Sequence, residues 1–352
     1  MKHIVFFTPS LNIGGVERVF ITYAEALIQR GYKVTYLVCK KKGELLYLLP
    51  EQIEIVSLGE RQLRNSILPL IQFFRKKKVD VFITGTDLPN VISILASKIA
   101  CSKAKVLISH HNYFNIERST LLSKLLFRIF YNGASSVISV SSGITKMLTD
   151  QGVSEKKVVT IYNPVALDNI LELGNFANLT TLPNHYLLFL GRLGEVKNLP
   201  FLIDSFELAS RQIPTLHLVF VGEGPMRTSL EEKTRTLGLT DKIHFLGVLP
   251  NPFPVMKHAA AVMLPSYSEA LPTIILESFA FKKTVIATPT NGALDLTENG
   301  RLGYISNSFD DVEEFAGIIE KGLFNPISED LLAKKVLNYS IDLKIKELEQ
   351  LF

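Results

Sequence analysis

The chain has 352 residues, 47% hydrophobic and 20% charged, with two cysteines and a formal net charge of +4. That length suits two domains with separate cores, and the composition excludes a disordered, fibrous or disulfide-stapled protein. The charge is uneven: residues 1–172 hold 22 Lys+Arg against 13 Asp+Glu, and the remainder holds 16 against 21.

A basic first half suits nucleic acid, an anionic membrane surface or an acidic substrate. The opening apolar run Ile4–Phe7 is too short for a signal peptide. No stretch of about 18 apolar residues reads as a membrane span. Cys39 and Cys101 lie in apolar surroundings and read as reduced core residues of a cytosolic protein.

Taken in order, Ile4–Thr8 is a buried strand and Val16–Gln29 a helix ending at Gly31, a residue suited to C′. Lys33–Val38 is the next strand. Gly14 and Gly15 stand at the strand-to-helix turn of this βαβ start, where glycine lets the backbone approach a ligand. A plain tight turn explains the pair equally well, and without a GxGxxG pattern NAD gains little support. Strands near Val79–Thr84, Ala104–Ser109 and Ser136–Val140, with a helix around Asn90–Ala100, continue a doubly wound parallel sheet. Ser109-His110-His111-Asn112 follows a strand end, where open α/β sheets bind ligands. Adjacent histidines face apart and lack a third ligand at metal spacing. One histidine acting in the site is the sharper reading, with a capping or solvent role as the plainer one.

Arg61–Lys78 combines an apolar face with six basic residues, and Leu121–Phe130 repeats this on a smaller scale. Either could lie in the headgroup layer of an anionic bilayer, or bury its apolar side in the core. Neither offers the spaced aromatics of a nucleic-acid stacking platform, so no nucleic-acid partner is expected. Residues 1–172 form the first domain, with Ile161–Val165 closing its last strand, and the polar segment 173–184 is the linker. A second βα series occupies 185–333: strand His185–Leu190, helix Leu199–Arg211, strand His217–Val221, a helix from Pro225 to Leu237, and strand Lys242–Leu246. Residues 334–352 form a terminal helix crossing back to the first domain. The expected architecture is two Rossmann-like doubly wound halves facing across a cleft.

Ala260–Leu264 is a further strand, ended by Pro265 and Ser266. Pro272 then suits the first turn of a helix, because it lacks only an amide that is orphaned there. The amides of Leu271, Thr273 and Ile274, with the helix dipole, make an anion site. Glu269 lies in the loop before this helix and Glu277 within it. Carboxylates beside an anion site suit a ligand that also carries hydroxyls, as a nucleotide sugar does. Alone, both could be solvated surface charges. In the loop Gly191–Asn198, Arg192 and Lys197 follow a strand end, and an arginine fork with a lysine point charge can grip a diphosphate.

These residues together resemble the retaining family 4 glycosyltransferases of GT-B fold. The resemblance runs over nearly the whole chain: Gly14-Gly15, Gly191-Arg192 with Lys197-Asn198, Gly222-Glu-Gly-Pro225, and Glu269 spaced from Glu277, in the family's order. Tyr162-Asn163-Pro164-Val165 also looks like a family loop. The resemblance implies that Arg192 and Lys197 hold the donor's diphosphate. It implies that Glu277 accepts from the ribose, Glu269 from the transferred sugar, and that His111 lies near the anomeric centre. Gly14, Gly15, Gly191, Gly222, Leu271, Pro272 and Thr273 would line the donor. A UDP-linked hexose or N-acetylhexosamine is the expected substrate, with no cofactor or metal. A lipid-linked or other glycan is the expected acceptor, bound by the first domain, whose basic charge motivates the lipid part, and reached from the cytoplasmic side at the inner face of the plasma membrane. Ala270 departs from the family's usual glycine after the first glutamate and would be strained if that position needs a positive φ. A sugar-nucleotide epimerase, a transferase to a soluble acceptor, and a non-catalytic subunit of a glycan-assembly complex are the alternatives.

Overall fold

The computed structural model describes residues 1–12, 14–60, 62–112, 121–176 and 182–352. It divides into two compact units, Met1–Pro164 with Ser340–Phe352, and Val165–Tyr339.

In unit 1 the strands are β1 (His3–Thr8), β2 (Lys33–Val38), β3 (Glu54–Ser57), β4 (Val81–Gly85), β5 (Lys105–His110), β6 (Ser136–Ser139) and β7 (Val158–Thr160). The helices are α1 (Gly15–Gln29), α2 (Ile67–Lys76), α3 (Asp87–Ile99), α4 (Leu121–Gly133) and α5 (Ser142–Asp150). The sheet order is β3-β2-β1-β4-β5-β6-β7, with parallel neighbours. Every residue of β1 is buried, which explains its unbroken apolar sequence: helices cover both faces of a parallel sheet. Val19, Phe20, Tyr23, Ala24 and Leu27 of α1 recur at helical spacing and enter the core beside Ile4 and Phe6.

The second unit runs α6 (Leu167–Leu173), β8 (Tyr186–Leu190), α7 (Leu199–Gln212), β9 (His217–Val221), α8 (Arg227–Thr236), β10 (Ile243–Phe245) and α9 (Phe253–His258). It continues with β11 (Ala261–Leu264), α10 (Thr273–Ala280), β12 (Thr284–Ala287), α11 (Asn291–Thr297), β13 (Tyr304–Ile305), α12 (Val312–Phe324) and α13 (Glu329–Leu337). The strand order is β10-β9-β8-β11-β12-β13, all parallel. Phe189, Phe206, Phe220 and Phe315 fill its core. The sheet order turns back between β1 and β4 in one unit and between β8 and β11 in the other, the switch points where such sheets bind ligands.

The boundary falls at Pro164, not at residue 172. Ile170 buries one face of α6, Gly174 packs on the ring of Phe281, and the amide of Val165 donates to the carbonyl of Tyr339 at 2.8 Å. Of the expected linker, residues 177–181 lie outside the described residues. The expected terminal helix is two helices: α13 stays in unit 2, and α14 (Ile341–Glu349) belongs to unit 1. There Ile345 and Leu348 are each 1% exposed, and Arg30 makes two hydrogen bonds of 2.8 Å to Glu349. Among the described residues no helix is long and apolar enough to cross a membrane.

Candidate functional site

In unit 2 the expected site residues sit on the loops that follow β8, β9 and β11 and on helix α10, into which the last of these loops leads. Their close packing explains the glycines. A Cβ on Gly222, whose φ is +132°, would lie 2.0 Å from the carbonyl oxygen of Gly191, and one on Gly224 would lie 2.3 Å from that of Leu193. Backbone bonds from Gly191 to Val221 (2.9 Å) and from Leu193 to Glu223 (3.0 Å) lock the two loops together. Arg192 is exposed on this turn. Lys197 closes a short 3₁₀ turn, Glu195–Lys197, and reaches the loop after β11.

There Lys197 Nζ meets Glu269 Oε1 at 2.5 Å, with the two side chains only 23% and 14% exposed. Ser266 Oγ donates to the same oxygen at 2.7 Å. Both bonds fall on Oε1, so Oε2 keeps its accepting capacity for a ligand. Ser266 is itself held, because Thr288 Oγ1 donates to its carbonyl at 2.5 Å. Gly292 lets α11 press against this loop: its amide donates to the Glu269 carbonyl at 3.2 Å, and a Cβ there would lie 2.6 Å from Pro272. Ser266, Thr288 and Gly292 are the positioning residues that the sequence reading missed. A serine at a strand end was the one available signal.

Helix α10 begins at Thr273, with Pro272 extended at the N-cap (φ −75°, ψ 99°) and no side-chain cap. Pro272 thus stands one position before the first turn in which it was expected. The first-turn amides, with Leu271 buried beside them, leave the positive end of the helix without a capping side chain. Glu277, half-buried, lies on the same helix. Ala270 does not have a positive φ, so the strain expected there is absent and alanine fits this loop.

In unit 1, Gly14 is extended (φ −159°), a geometry open to any residue. A Cβ on Gly14 would meet only the flexible end of Glu17, and one on Gly15 would meet nothing. His111 Nε2 lies 2.7 Å from Ser109 Oγ, and its ring packs edge-on against Phe20 at 6.2 Å. Burial, and then the neighbouring His110, push its pKa down to about 3, so this imidazole is neutral at physiological pH. His110 is a buried partner of Tyr131, Nδ1 to hydroxyl 2.9 Å, with Asp87 Oδ1 at 3.4 Å. The turn into α3 puts Thr86 at φ +73°, and sequence gave no warning of this cluster.

Several surface expectations change. The apolar face of α2 is core, with Leu70, Ile71, Phe73 and Phe74 buried and the Phe74 ring 4.8 Å from Phe82. Arg61 lies outside the described residues. On α4, by contrast, Leu125, Leu126 and Ile129 stay 54%, 43% and 54% exposed. Cys39 is buried, but Cys101 is exposed, because it sits in the turn after α3 with φ +50°. Among the described residues no three His, Cys, Asp or Glu gather as a metal set.

Residues 13–169 match the family described as Glycosyltransferase Family 4, and residues 176–337 match Glycosyl transferases group 1. The chain belongs to the family 4 glycosyltransferases. It is 28% identical over 330 residues to a Campylobacter jejuni enzyme, GalNAc-alpha-(1->4)-GalNAc-alpha-(1->3)-diNAcBac-PP-undecaprenol alpha-1,4-N-acetyl-D-galactosaminyltransferase, covering 89% of this chain and 86% of that one. A second C. jejuni enzyme, N-acetylgalactosamine-N,N'-diacetylbacillosaminyl-diphospho-undecaprenol 4-alpha-N-acetylgalactosaminyltransferase, is 25% identical over 361 residues, 96% of this chain and 93% of its own. Anabaena Alr3699/HepE, crystallised in complex with UDP, shares the fold at a TM-score of 0.81 and 20% identity, over 99% of both chains. This family 4 glycosyltransferase thus has the GT-B type of fold, with two doubly wound parallel α/β sheets.

Proposed function

We propose that this glycosyltransferase moves an N-acetylhexosamine or hexose from a UDP-sugar to a lipid-linked glycan, with retention of anomeric configuration. The observation that carries the reading is the Lys197–Glu269 pair at 2.5 Å, which joins the loop bearing exposed Arg192 to the loop that leads into the uncapped start of α10. Support for the donor comes from the UDP bound to the Anabaena protein of like fold. Support for the acceptor and for the N-acetylhexosamine comes from the two Campylobacter relatives, N-acetylgalactosaminyltransferases named for undecaprenol-linked glycans.

In the reaction the bond between the donor's anomeric carbon and the diphosphate oxygen breaks, and its electron pair leaves with UDP. An acceptor hydroxyl oxygen bonds to that carbon on the same face, and its proton passes to the departing phosphate. Negative charge therefore grows on the diphosphate in the transition state. Arg192, Lys197 and the amides of Thr273 and Ile274 oppose that charge where it grows, and stabilise the transition state more than the bound donor. Glu269 Oε2 accepts from hydroxyls of the transferred sugar, and Glu277 accepts from the ribose. In the first unit, His111 is held neutral by burial. With two cations in the role a divalent ion plays elsewhere, no metal is required.

The test is transfer from UDP-N-acetylgalactosamine to a synthetic undecaprenyl-diphosphate GalNAc oligosaccharide in EDTA. Wild-type protein turns over under these conditions, and Lys197→Ala lowers kcat by about tenfold or more. Turnover that requires added metal, or an unimpaired Lys197→Ala, would count against the assigned roles. Conversion of the UDP-sugar without acceptor to its epimer would replace transfer with epimerisation.

A further inference from the structure

The basic run at the end of α2 takes no part in the site above, and it borders a cavity of about 660 Å³ in unit 1. Six cationic side chains line this cavity. They are Lys2 before β1, Arg75 in the last turn of α2, Lys77 and Lys78 between α2 and β4, Lys103 before β5, and Lys105 opening β5. Among the described residues the one acidic side chain lining it is Asp80, whose Oδ2 accepts from the amide of His3 at 2.7 Å. Lys77 reaches Glu54 only at 3.8 Å, and Lys105 donates to the carbonyl of Leu351 at 3.2 Å. Among the described residues Lys2, Arg75, Lys78 and Lys103 form no ion pair.

Exposed lysines are ordinary, and a cation in the last turn of a helix complements its dipole. That accounts for Arg75. It does not account for Lys2, Lys103 and Lys105, which stand at strand entries. Nor does it explain why three separate segments bring like charges to one concavity despite their mutual repulsion. Strands β1, β4 and β5 are neighbours in the sheet, and the cavity lies at their N-terminal ends. Open α/β sheets bind substrate at the C-terminal ends, about 17–20 Å away along a strand, and that is the end that carries His111. A cavity of this size fits a small molecule. Lysines hold phosphate as point charges, and an arginine adds a planar fork. We propose that this cavity is an anion site separate from the donor's, which binds a chain of two or more phosphate groups, free or as a lipid headgroup. A single phosphate would leave most of the six cations unpaired.

Cys101 lines the same cavity and is exposed, whereas Cys39 is buried, so thiol modification of the folded protein reads this place. The probes are inorganic tripolyphosphate and geranyl diphosphate at constant ionic strength, with uncharged 4,4′-dithiodipyridine as the reagent. Occupancy should slow modification of Cys101 saturably, by about threefold or more, by covering the thiol and by opposing its thiolate. Lys78→Gln/Lys103→Gln changes only exposed side chains and should raise the half-protecting concentration by about tenfold. Lys197→Ala, in unit 2, should leave that concentration unchanged. Half-protection by tripolyphosphate at an equal or lower concentration assigns the site to free phosphate chains. Half-protection by geranyl diphosphate at a lower concentration assigns it to a lipid headgroup. No slowing by either probe beyond that of sodium chloride at equal ionic strength would overturn the site. So would undiminished protection in the lysine double variant, or protection lost in Lys197→Ala, which would place the anion in unit 2.

Discussion

At the scale of single residues, the most informative side chain outside the charged cluster is His111. Its pKa is lowered to about 3, first by burial and then by His110. A lowered histidine pKa means that the unfolded chain binds a proton that the folded chain refuses. Stability is then complete above the ordinary histidine pKa, about 6.5, and is lost as pH falls from there toward the folded value. His111→Gln is therefore expected to flatten the fall in melting temperature between about pH 6.5 and 4. Equal slopes in variant and wild type would show that His111 is not held neutral by its surroundings. How legible the site was at this scale depended on residue type. Charged residues at strand ends, Arg192, Lys197 and Glu269, become candidates only in combination, since each alone reads as a solvated surface charge. Ser266, Thr288 and Asn198 do not stand out, since a serine, threonine or asparagine near a turn is ordinary. Only the fold reveals that one of them grips Glu269 and another ties Lys197's turn to Phe309. Ala270 shows the converse, because departure from a family's usual glycine proved conformationally neutral.

Among the elements, the buried strands were readable because burial on both faces leaves a near-continuous apolar run, as in β1, β8 and β9. Strand β3 was not, since it is short and half-exposed at a sheet edge and lacks that signature, and β7, at the other edge, ends at Thr160, just before the segment Ile161–Val165 expected to close it. The apolar face of α2 was readable, but whether it met core or lipid was not: periodicity reports a face and not what covers it. The terminal segment makes a sharper case. Helix α14 packs on α1 and supplies Ile345 and Leu348 to the core of the first unit. Leu348→Ala is accordingly expected to destabilise the protein by about 2–5 kcal/mol. Arg30→Ala, which removes an exposed pair with Glu349, is expected to change stability little, as solvent-screened pairs do. Denaturant unfolding of both variants checks the contrast, and similar losses in the two would mean that α14 is held by charge instead of packing.

For the whole molecule, the charge asymmetry follows the structural division. Residues 1–164 with 340–352 hold 24 Lys+Arg against 14 Asp+Glu, and residues 165–339 hold 14 against 20. Basic charge on the first unit, with the exposed row Leu125, Leu126 and Ile129 flanked by Lys124 and Arg128, leads us to propose α4 as the contact with an anionic membrane, the surface expected from the sequence to be the inner face of the plasma membrane. Sedimentation with phosphatidylglycerol vesicles at low salt is expected to carry wild type into the pellet and to leave Leu125→Glu/Ile129→Glu in solution. Equal partitioning of the two would remove α4 from the membrane contact.

Melting of the purified protein in EDTA with UDP, GDP, ADP or NAD addresses the central claim, a metal-free nucleotide-sugar site built on Lys197, Glu269 and α10. A ligand that binds only the folded state raises the melting temperature by mass action. UDP at about a hundredfold excess over its Kd should raise it by roughly 5 °C, while NAD should leave it unchanged. No shift with any nucleoside diphosphate would contradict the claim and bring a non-catalytic role in glycan assembly to the front.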